Sequence, residues 1–401
     1  MLTQRIAMFI RTIDVKGLSE KKSLFLFGPR STGKSTLLRK IFGTDKTINL
    51  LKSDVFLRLS ENPSSIREMI TAMIKKTQTE GAKDAPIIID EIQKLPILLN
   101  EVHDLIESEK IKFILTGSSA RKLRRSGVNL LGGRAWQANL FPLVWPEIPD
   151  FDLEKYLLIG GLPHIYTSSF PEEELDAYVN TYLKEEIKEE ALVQNFLHFS
   201  RFLKVAALSN TQQINYANVS METGVPATTV KTYFEILSDT FLGFYLEPWR
   251  ESKKRKAVSS SKFYFFDTGV ANFLNGKKSL NRTSDDFGQA FEHWIAMELR
   301  AFMSYQRIKE TLCYWRTTNK IEVDFIIGNE VGIEVKATTR VTDKHLKGLR
   351  ILSEEGILKQ LFVVSFDEVE RETREGIRVV HWKTFIRELW EGKIVKKKVI
   401  S

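Results

Sequence analysis

The sequence predicts an α/β protein with a parallel sheet and helices on both of its faces. Three observations carry this prediction: a glycine-rich turn between a strand and a helix, an apolar strand that ends in two acids, and a repeated alternation of strands with helices. Such alternation is typical of doubly wound sheets, which bind ligands at the carboxyl ends of their strands. The 401 residues have room for about two to four domains.

The amino-acid composition excludes several other classes of protein. The chain is 43% hydrophobic and 27% charged, as in ordinary globular proteins, and no apolar run reaches the ~18 residues of a membrane span. The single cysteine, Cys313, excludes an internal disulfide and a cysteine-based zinc site. The first residues are broken by charges and do not form a signal peptide. We therefore expect a cytoplasmic protein without membrane contact, and the net charge of +8 weakly favours a polyanionic partner.

The glycine-rich turn lies in "SLFLFGPRSTGKSTLLRKIF", where Gly28, Gly33, Lys34 and Ser35 fit G-x-x-x-x-G-K-[ST]. Small residues let backbone N–H groups close around phosphates, and the following helix adds its positive dipole end. Lys34 is predicted to reach the β- and γ-phosphates, and Ser35 to offer a hydroxyl to Mg²⁺. The predicted nucleotide contacts of this segment are Gly28, Pro29, Arg30, Ser31, Thr32, Gly33, Lys34, Ser35 and Thr36.

The two acids end the strand "APIIID" at Asp90 and Glu91. Asp90 is predicted to hold the Mg²⁺ of ATP, and Glu91 to orient and deprotonate the attacking water. The alternative interpretation makes both acids part of a helix N-cap, and the phosphate-loop motif upstream argues against it. ATP and Mg²⁺ are therefore the predicted cofactors.

Further strands and helices follow this pattern. "KTINLL" is a strand candidate, "LPILLNEVHDLIESEK" is a helix with Pro96 in its first turn, and "IKFILTGSSARKL" runs from strand into helix. At that strand end, Thr116 and Ser118 could polarise the water or the γ-phosphate, and Ser118 is a predicted nucleotide contact. Arg134, after two glycines, either acts on a nucleotide of its own or a neighbouring chain, or is an ordinary turn residue.

The ordered set "GPRSTGKST", "IIIDEIQ", "ILTGSSARKL", "LLGGRA" and "LFPLVWPE" resembles a branch of the AAA-type ATPases of archaea and bacteria. The resemblance implies a P-loop ATPase followed by a helical lid, a winged helix and a nuclease-like domain. It makes Lys34 and Glu91 catalytic and leaves a homo-oligomer open, with Arg134 serving the same chain or a neighbour. The implied domains are 1–147, 148–208, 209–274 and 275–401.

The middle of the chain has the rhythm of a helix-turn-helix. The first helix is predicted over 215–223, a turn at Gly224, and a second helix after Pro226 whose apolar face is Val230, Phe234 and Leu237. Upstream, "YLLIGGLPHIY" predicts a hinge or turn, and 172–190 predicts a helix with an apolar stripe.

Two sets of polar residues there are candidates for DNA contact. Thr228, Thr229, Lys231 and Thr232 would lie on the second helix, and Lys253, Lys254, Arg255 and Lys256 would form a basic wing. The alternative is a protein-contact module with a solvated basic loop. Asp267 is predicted to be a helix N-cap.

The strands "IEVDFII" and "VGIEVKA" carry charges within apolar runs. Glu334 and Lys336 share a face because strands have a period of two. A helical Glu292, Asp324 and this Glu-x-Lys resemble the PD-(D/E)xK nuclease superfamily. That resemblance implies that Asp324 and Glu334 bind Mg²⁺, that Lys336 is the catalytic amine, and that Glu292 is an accessory ligand. Glu322 shares a strand face with Asp324, so it is either a substitute ligand or a solubility charge on an edge strand.

Three functions follow from these predictions. The first is an ATP-dependent DNA-processing enzyme with a Mg²⁺-dependent nuclease-like domain. The second is an ATP-gated regulator that binds DNA or protein and has a non-catalytic nuclease-like domain. The third is a signalling ATPase that contacts proteins alone.

Overall fold

The computed structural model describes residues 9–78, 85–119, 121, 123, 131–183, 196–252, 254–255 and 257–396. The chain forms two compact units. The N-terminal unit comprises Ile10–Phe141 and Asp239–Phe241, and the C-terminal unit comprises Pro142–Ser238 and the chain from Leu242 onward.

The N-terminal unit alternates strands with helices, as the sequence predicts. Its strands are β1 Ser23–Phe27, β2 Thr47–Asn49, β3 Ile87–Asp90, β4 Phe113–Gly117 and β5 Ala135–Asn139. Its described helices are α1 Val15–Lys21, α2 Lys34–Phe42, α3 Ser53–Glu61, α4 Ile66–Gln78 and α5 Leu98–Ser108. Pro96 lies just before α5, whose N-cap is Ile97, and therefore precedes the first turn in which the sequence placed it.

The five strands form one parallel sheet in the order β2-β3-β4-β1-β5. β1, β3 and β4 are buried along their whole length, which explains their continuous apolar runs. The sheet order makes β3, β4 and β1 neighbours. The residues that follow these three strands therefore meet at one edge of the sheet, where parallel α/β folds bind ligands.

The C-terminal unit begins with helices. They are α6 Leu153–Ile159, α7 Pro163–Thr167, α8 Pro171–Ala177 and, after a π-helical segment Tyr178–Leu183, α9 Phe196–Leu208, α10 Tyr216–Thr223 and α11 Ala227–Asp239. The later helices are α12 Thr268–Leu274, α13 Asp285–Tyr305, α14 Asp343–Ser353 and α15 Trp382–Trp390.

The eight strands of this unit form a single mixed sheet. They are β6 Gly243–Pro248, β7 Lys262–Phe265, β8 Leu312–Arg316, β9 Glu322–Ile327, β10 Val331–Lys336, β11 Gln360–Ser365, β12 Arg371–Glu372 and β13 Ile377–His381. Their order is β12-β13-β11-β10-β9-β8-β6-β7. The hairpin β6–β7 is therefore continuous with the strands of the predicted nuclease-like domain, across the boundary that the sequence placed at 274/275.

The helix pair α10–α11 lies where the sequence predicts a helix-turn-helix. Asn215 caps α10 by accepting N–H groups from two residues of its first turn, and Gly224 ends the helix at φ 68°. Val230, Phe234 and Leu237 are buried on α11, as predicted. The predicted helix over 172–190 is interrupted by the π-helical segment, and 184–190 lies outside the described residues.

The predicted hinge near Gly160 is a tightly packed corner. Gly160 ends α6 at φ 79°, and a Cβ on it would lie 2.0 Å from Asp267 Oδ1. Asp267 caps α12, as predicted, by accepting the Val270 N–H at 3.0 Å, and it also accepts the Gly161 N–H at 2.8 Å. This corner requires glycine at position 160 because of both the positive φ and the close carboxylate.

Glu298 is a buried acid in the same unit, with 1% of its surface exposed. It accepts N–H groups from Trp145 at 2.8 Å, Trp294 at 3.2 Å and Trp390 at 2.8 Å. Burial raises the pKa of Glu298 to about 8, against the opposing effect of these donors.

Among the helices that the structure describes, none is long and apolar enough to cross a membrane.

Candidate functional site

The loop between β1 and α2 folds tightly around its own backbone. Gly28 adopts φ 151°, and a Cβ there would lie 2.2 Å from the carbonyl oxygen of Leu140. Gly33 adopts φ 92° as the N-cap of α2. Both motif glycines therefore occupy conformations that other residues rarely adopt, and the backbone sets the loop in the shape that phosphate binding requires.

Lys34 is buried within this loop. Its Nζ donates hydrogen bonds to the carbonyl oxygens of Gly28 at 2.7 Å and Pro29 at 2.9 Å. The Thr32 hydroxyl donates to the Pro29 carbonyl at 2.9 Å. The ammonium therefore lies inside the curve of the loop, where a nucleotide phosphate could accept its hydrogen bonds instead.

Arg11 fixes the loop from outside, a role that the sequence did not indicate. Its guanidinium donates to the carbonyl oxygens of Thr32 at 2.7 Å and Phe141 at 2.6 Å. The other predicted nucleotide contacts lie in the same stretch: Arg30 and Ser31, the latter at φ 64°, belong to the loop, and Thr36 is exposed in the first turn of α2.

A chain of hydrogen bonds joins the loop to the two acids after β3. The Ser35 hydroxyl donates to Asp90 Oδ2 at 2.8 Å, and the Thr116 hydroxyl donates to Asp90 Oδ1 at 2.5 Å. Thr116 also accepts the backbone N–H of Glu91 at 3.0 Å. The structure thus brings together Ser35, Asp90, Glu91 and Thr116, which the sequence places in three separate motifs.

Glu91 has an uncommon backbone conformation, and Gln93 holds its side chain. The Glu91 backbone has φ 62°, in the left-handed region, and its side chain is buried. Gln93 Nε2 donates to Glu91 Oε2 and, at 3.1 Å, to the Ser118 hydroxyl. Gln93 was not a predicted site residue, although its position two residues after Glu91 in "IDEIQ" is the signal that could have indicated it.

The Ser35 hydroxyl and the Asp90 carboxylate are hard oxygen donors, which fit a Mg²⁺ ion that travels with ATP. Beside them lies a cleft of about 170 Å³, also lined by Arg39, Asn49 and Lys52. Two cations, Arg39 and Lys52, therefore line the same cleft as Ser35 and Asp90.

Arg134 lies at the opposite edge of the sheet. β5 pairs in parallel with β1 so that Ala135 is opposite Ser23, whereas the phosphate loop follows Phe27, about 13 Å farther along the strand. Arg134 Nε donates to Glu107 on α5, and this pair lowers the pKa of Glu107. In this structure Arg134 therefore lies away from the phosphate loop of its own chain and contacts Glu107, while a role on a neighbouring chain's nucleotide stays a prediction.

A second group of charged side chains lies in the C-terminal unit, on β9 and β10. Lys336 Nζ lies 2.6 Å from Glu334 Oε1 and 3.8 Å from Asp324 Oδ2. Asp324 Oδ2 also accepts the backbone N–H of Val335 at 2.8 Å. Glu334 Oε2 is buried with no hydrogen-bond partner among the described residues. The predicted Asp324, Glu334 and Lys336 are therefore neighbours.

Glu292 and Glu322 are held by a residue that the sequence did not indicate. Lys262, at the start of β7, places its Nζ 3.1 Å from Glu292 Oε1 and 2.5 Å from Glu322 Oε1. The Tyr264 hydroxyl donates to the same oxygen of Glu292 at 2.6 Å, and Arg316 lies 2.8 Å from Glu322 Oε2. The isolated lysine that opens "KFYFF" is the only sequence signal for this arrangement.

Burial and neighbouring charges together set the pKa values of this cluster. Burial raises the pKa of Glu334 to about 8, helped by the Asp324 carboxylate, and it raises the pKa of Glu292. Burial alone would lower the pKa of Lys336 and Lys262. The neighbouring carboxylates outweigh it, so the pKa of each ammonium is raised. Both lysines are therefore fully charged at neutral pH.

One part of this cluster, the carboxylates of Asp324 and Glu334, has ligand atoms that suit a hard divalent cation. Carboxylate oxygens of Asp324 and Glu334 suit Mg²⁺, which is often bound by one or two carboxylates and completes its shell with water. Within the part of the chain that the structure describes, no group of three or more His, Cys, Asp or Glu is arranged to hold a metal ion. Glu292, the predicted accessory ligand, accepts from Lys262 and Tyr264 through its Oε1.

The predicted DNA-contact residues have mixed surroundings. Thr228 and Lys231 are exposed on α11, and Thr229 and Thr232 are half-buried. In the predicted wing, Arg255 lies 2.5 Å from Glu354 and 3.6 Å from Glu355. Lys254 donates its backbone N–H to the Glu355 carboxylate and its ammonium to the Glu354 carbonyl. The end of α14 therefore occupies these two cations. Lys253 and Lys256 lie outside the described residues.

The fold and the phosphate-loop geometry of the N-terminal unit define an ATP-binding AAA-type P-loop domain. Comparison with protein families agrees: residues 20–149 match the AAA domain family. Residues 150–281 match one domain of unknown function, DUF8612, and residues 287–385 match another, DUF4143.

Two relatives match most of the chain and are themselves described as uncharacterized proteins. One, from Haemophilus influenzae, is 22% identical over 339 residues, covering 77% of this chain and 80% of the relative. The other, from Methanocaldococcus jannaschii, is 22% identical over 424 aligned residues, covering 92% and 85%.

Among solved structures, a signal transduction ATPase with numerous domains and a tetratricopeptide repeat sensor, from Pyrococcus horikoshii, is 19% identical with a TM-score of 0.21. That match covers 72% of this chain, and the chain spans 46% of the length of that structure.

Proposed function

We propose that the chain is an ATP-hydrolysing AAA-type protein that engages DNA and carries a Mg²⁺-dependent nuclease-type site. The observation that carries the ATPase proposal is the continuous hydrogen-bonded chain from Ser35 through Asp90 and Thr116 to Glu91. It links the residues suited to bind phosphate and Mg²⁺ to the carboxylate suited to activate water.

Each residue has a physical role in this proposal. The loop N–H groups and Lys34 bind the β- and γ-phosphates, Ser35 and Asp90 hold the Mg²⁺ of ATP, and Glu91 accepts the proton of the attacking water. The bound Mg²⁺ neutralises phosphate charge. Gln93 donates to both the Glu91 carboxylate and the Ser118 hydroxyl, which holds the base beside the hydroxyl at the end of β4.

Phosphate release with ATP tests the ATPase proposal. Lys34→Ala should abolish tight ATP binding, and Glu91→Gln should retain ATP while hydrolysis falls by about 100-fold or more. Lys40→Ala, an exposed lysine on the same helix, is the matched control and should hydrolyse ATP as the wild type does. Equal hydrolysis by all four proteins would refute the assigned site.

The nuclease proposal rests on one feature: the unpartnered Glu334 Oε2 next to Asp324 and Lys336. Asp324 and Glu334 would hold Mg²⁺, which when bound supplies an activated water and charge stabilisation. Lys336 would orient that water and stabilise negative charge on the phosphate.

Cleavage assays on DNA and RNA test the nuclease site. Divalent-dependent cleavage should vanish in Asp324→Ala and Lys336→Ala and persist in Lys347→Ala, an exposed lysine on α14. If the wild type cleaves none of the single- or double-stranded forms, the second candidate function applies: an ATP-gated regulator. The pairing of Lys254 and Arg255 with α14 favours that alternative for the wing.

DNA engagement is proposed for the exposed face of α11. Lys231→Ala should weaken binding and lower the slope of log affinity against log salt by about one, as expected for one phosphate contact. Lys204→Ala on α9, also exposed, is the control. Fluorescence anisotropy over a salt series measures both. If no salt-dependent binding occurs, a signalling ATPase that contacts proteins alone is the better description.

A further inference from the structure

Lys262 lies in the acidic cluster without belonging to the strands that form it. It opens β7 of the hairpin that follows the helix-turn-helix pair, and it is 3% exposed. Its ammonium lies between a carboxylate of α13 and one of β9, at 3.1 Å and 2.5 Å. A buried ammonium costs several kcal/mol of desolvation unless paired, and an apolar side chain of similar volume often serves stability as well. Stability alone therefore does not explain why a lysine lies at position 262.

The cluster has two halves, which differ in how many of their carboxylate oxygens already accept a hydrogen bond or an ion pair. In the first half, Glu292 and Glu322 receive hydrogen bonds or ion pairs from Lys262, Tyr264 and Arg316. In this half a metal ion would compete with these three donors for Glu292 Oε1 and for both oxygens of Glu322.

The second half is Asp324 and Glu334, which face Lys336 alone among the cations of the cluster within 4 Å. Its Glu334 Oε2 is buried and has no hydrogen-bond partner among the described residues. This half is where an incoming hard cation would gain a ligand without breaking a contact to that oxygen.

The formal charges agree with a single ion. With all four carboxylates ionised, four carboxylates and three cations give the cluster a formal charge of −1. The four carboxylates are Glu292, Glu322, Asp324 and Glu334, and the three cations are Lys262, Arg316 and Lys336. One divalent ion brings the charge to +1, which suits a phosphodiester anion. Two would bring it to +3 in a largely buried site, which is costly.

We infer that Lys262 is a built-in cation that takes the place of a second divalent ion, so that this site binds one Mg²⁺ or Mn²⁺ at Asp324 and Glu334. The inference rests on the proposed nuclease-type site and adds its metal stoichiometry. The hairpin β6–β7 thereby supplies a functional cation to a site whose other charged groups lie on α13, β8, β9 and β10.

Mn²⁺ titration of the full chain without nucleotide tests the inference, by isothermal calorimetry and by electron paramagnetic resonance of free Mn²⁺. The wild type and Lys262→Arg should bind one Mn²⁺ per chain. Lys262→Met, which removes the charge and keeps the apolar stem, should bind two. Asp324→Asn should lose the ion of the wild type.

The outcomes separate the inference from the proposed function. If the wild type binds no Mn²⁺, the nuclease-type metal site itself is wrong. If it binds one and Lys262→Met also binds one with unchanged affinity, Lys262 is a structural ion pair and the inference is wrong. Should Lys262→Met fail to fold, crystals of the wild type soaked in Mn²⁺ decide: one anomalous peak beside Asp324 and Glu334 supports the inference, and a second peak beside Glu292 overturns it.

Discussion

Thr116→Val removes one hydroxyl at the centre of the ATP site and leaves the side-chain shape almost unchanged. Thr116 is fully buried on β4. Its hydroxyl donates to Asp90 Oδ1 at 2.5 Å and accepts the Glu91 N–H at 3.0 Å. The substitution therefore leaves a buried carboxylate oxygen and a buried N–H without this partner.

The expected magnitude follows from those two lost contacts. An unsatisfied buried group costs about 1–3 kcal/mol, so the loss of two partners should lower the free energy of unfolding by about 2–6 kcal/mol. For a unit of this size the melting temperature should drop by about 10 °C. Glu91, whose left-handed backbone depends on the Thr116 hydroxyl, should lose its position, and ATP hydrolysis should fall at least about tenfold, equivalent to about 1.4 kcal/mol in the barrier.

Scanning calorimetry and phosphate release measure the two effects. The transition to follow is the one that added nucleotide stabilises. Thr116→Ser keeps the hydroxyl and should remain close to the wild type in both assays. If the valine variant unfolds and hydrolyses ATP like the serine variant, the hydrogen-bonded chain does not organise the site.

Three further predictions follow from contacts in the two units. Gln93→Leu should lower kcat for ATP hydrolysis more than it changes KM, because it frees the Glu91 carboxylate and leaves the phosphate loop intact; steady-state kinetics checks this, and a change confined to KM would contradict it. Gly160→Ala should destabilise the protein by about 3 kcal/mol or more, because its Cβ would lie 2.0 Å from a carboxylate oxygen. Gly276→Ala, at φ 68° with open space, should cost about 1 kcal/mol, and urea denaturation compares them. For Glu298, the folded-state pKa of about 8 lies above the ordinary 4.5, so its contribution to stability is complete below pH 4.5 and falls by up to about 1.4 kcal/mol per pH unit until about pH 8. Glu298→Gln should lack this slope in urea denaturation at pH 5, 6, 7 and 8, and an unchanged slope would assign the pH dependence to other groups.

Much of the N-terminal unit could be predicted because its signals are local. A strand, a phosphate loop and a helix follow one another in "FLFGPRSTGKSTLL", and each buried parallel strand is one apolar run. What the sequence could not give is the sheet order, which places β4 between β1 and β3 and so puts Thr116 between Asp90 and Glu91. The position of Arg134 could not be predicted for the same reason: its edge of the sheet depends on strand direction and pairing, which residue spacing does not reveal.

The candidate site of the C-terminal unit was predictable in part. Glu334 and Lys336 share a strand face, and Asp324 lies on the paired strand β9. The contacts of Lys262 with Glu292 and Glu322 were not predictable. Lys262 lies on β7, 30 residues from Glu292 in the chain, and a lysine before an apolar run has no distinctive sequence pattern. The pairing of Lys254 and Arg255 with α14, about 100 residues away, was likewise beyond what a basic run can indicate.

The continuity of the eight-stranded sheet limits where the C-terminal unit can be cut into smaller fragments. A fragment that begins at residue 275 would lose β6 and β7, expose the edge of β8 to unwanted strand pairing, and leave two acids without Lys262. A chimera that took the nuclease-like strands from another protein would need a matching hairpin, because the edge of β8 and the two acids both depend on it. The boundary between the two family matches, at residues 281–287, therefore falls within one hydrogen-bonded sheet.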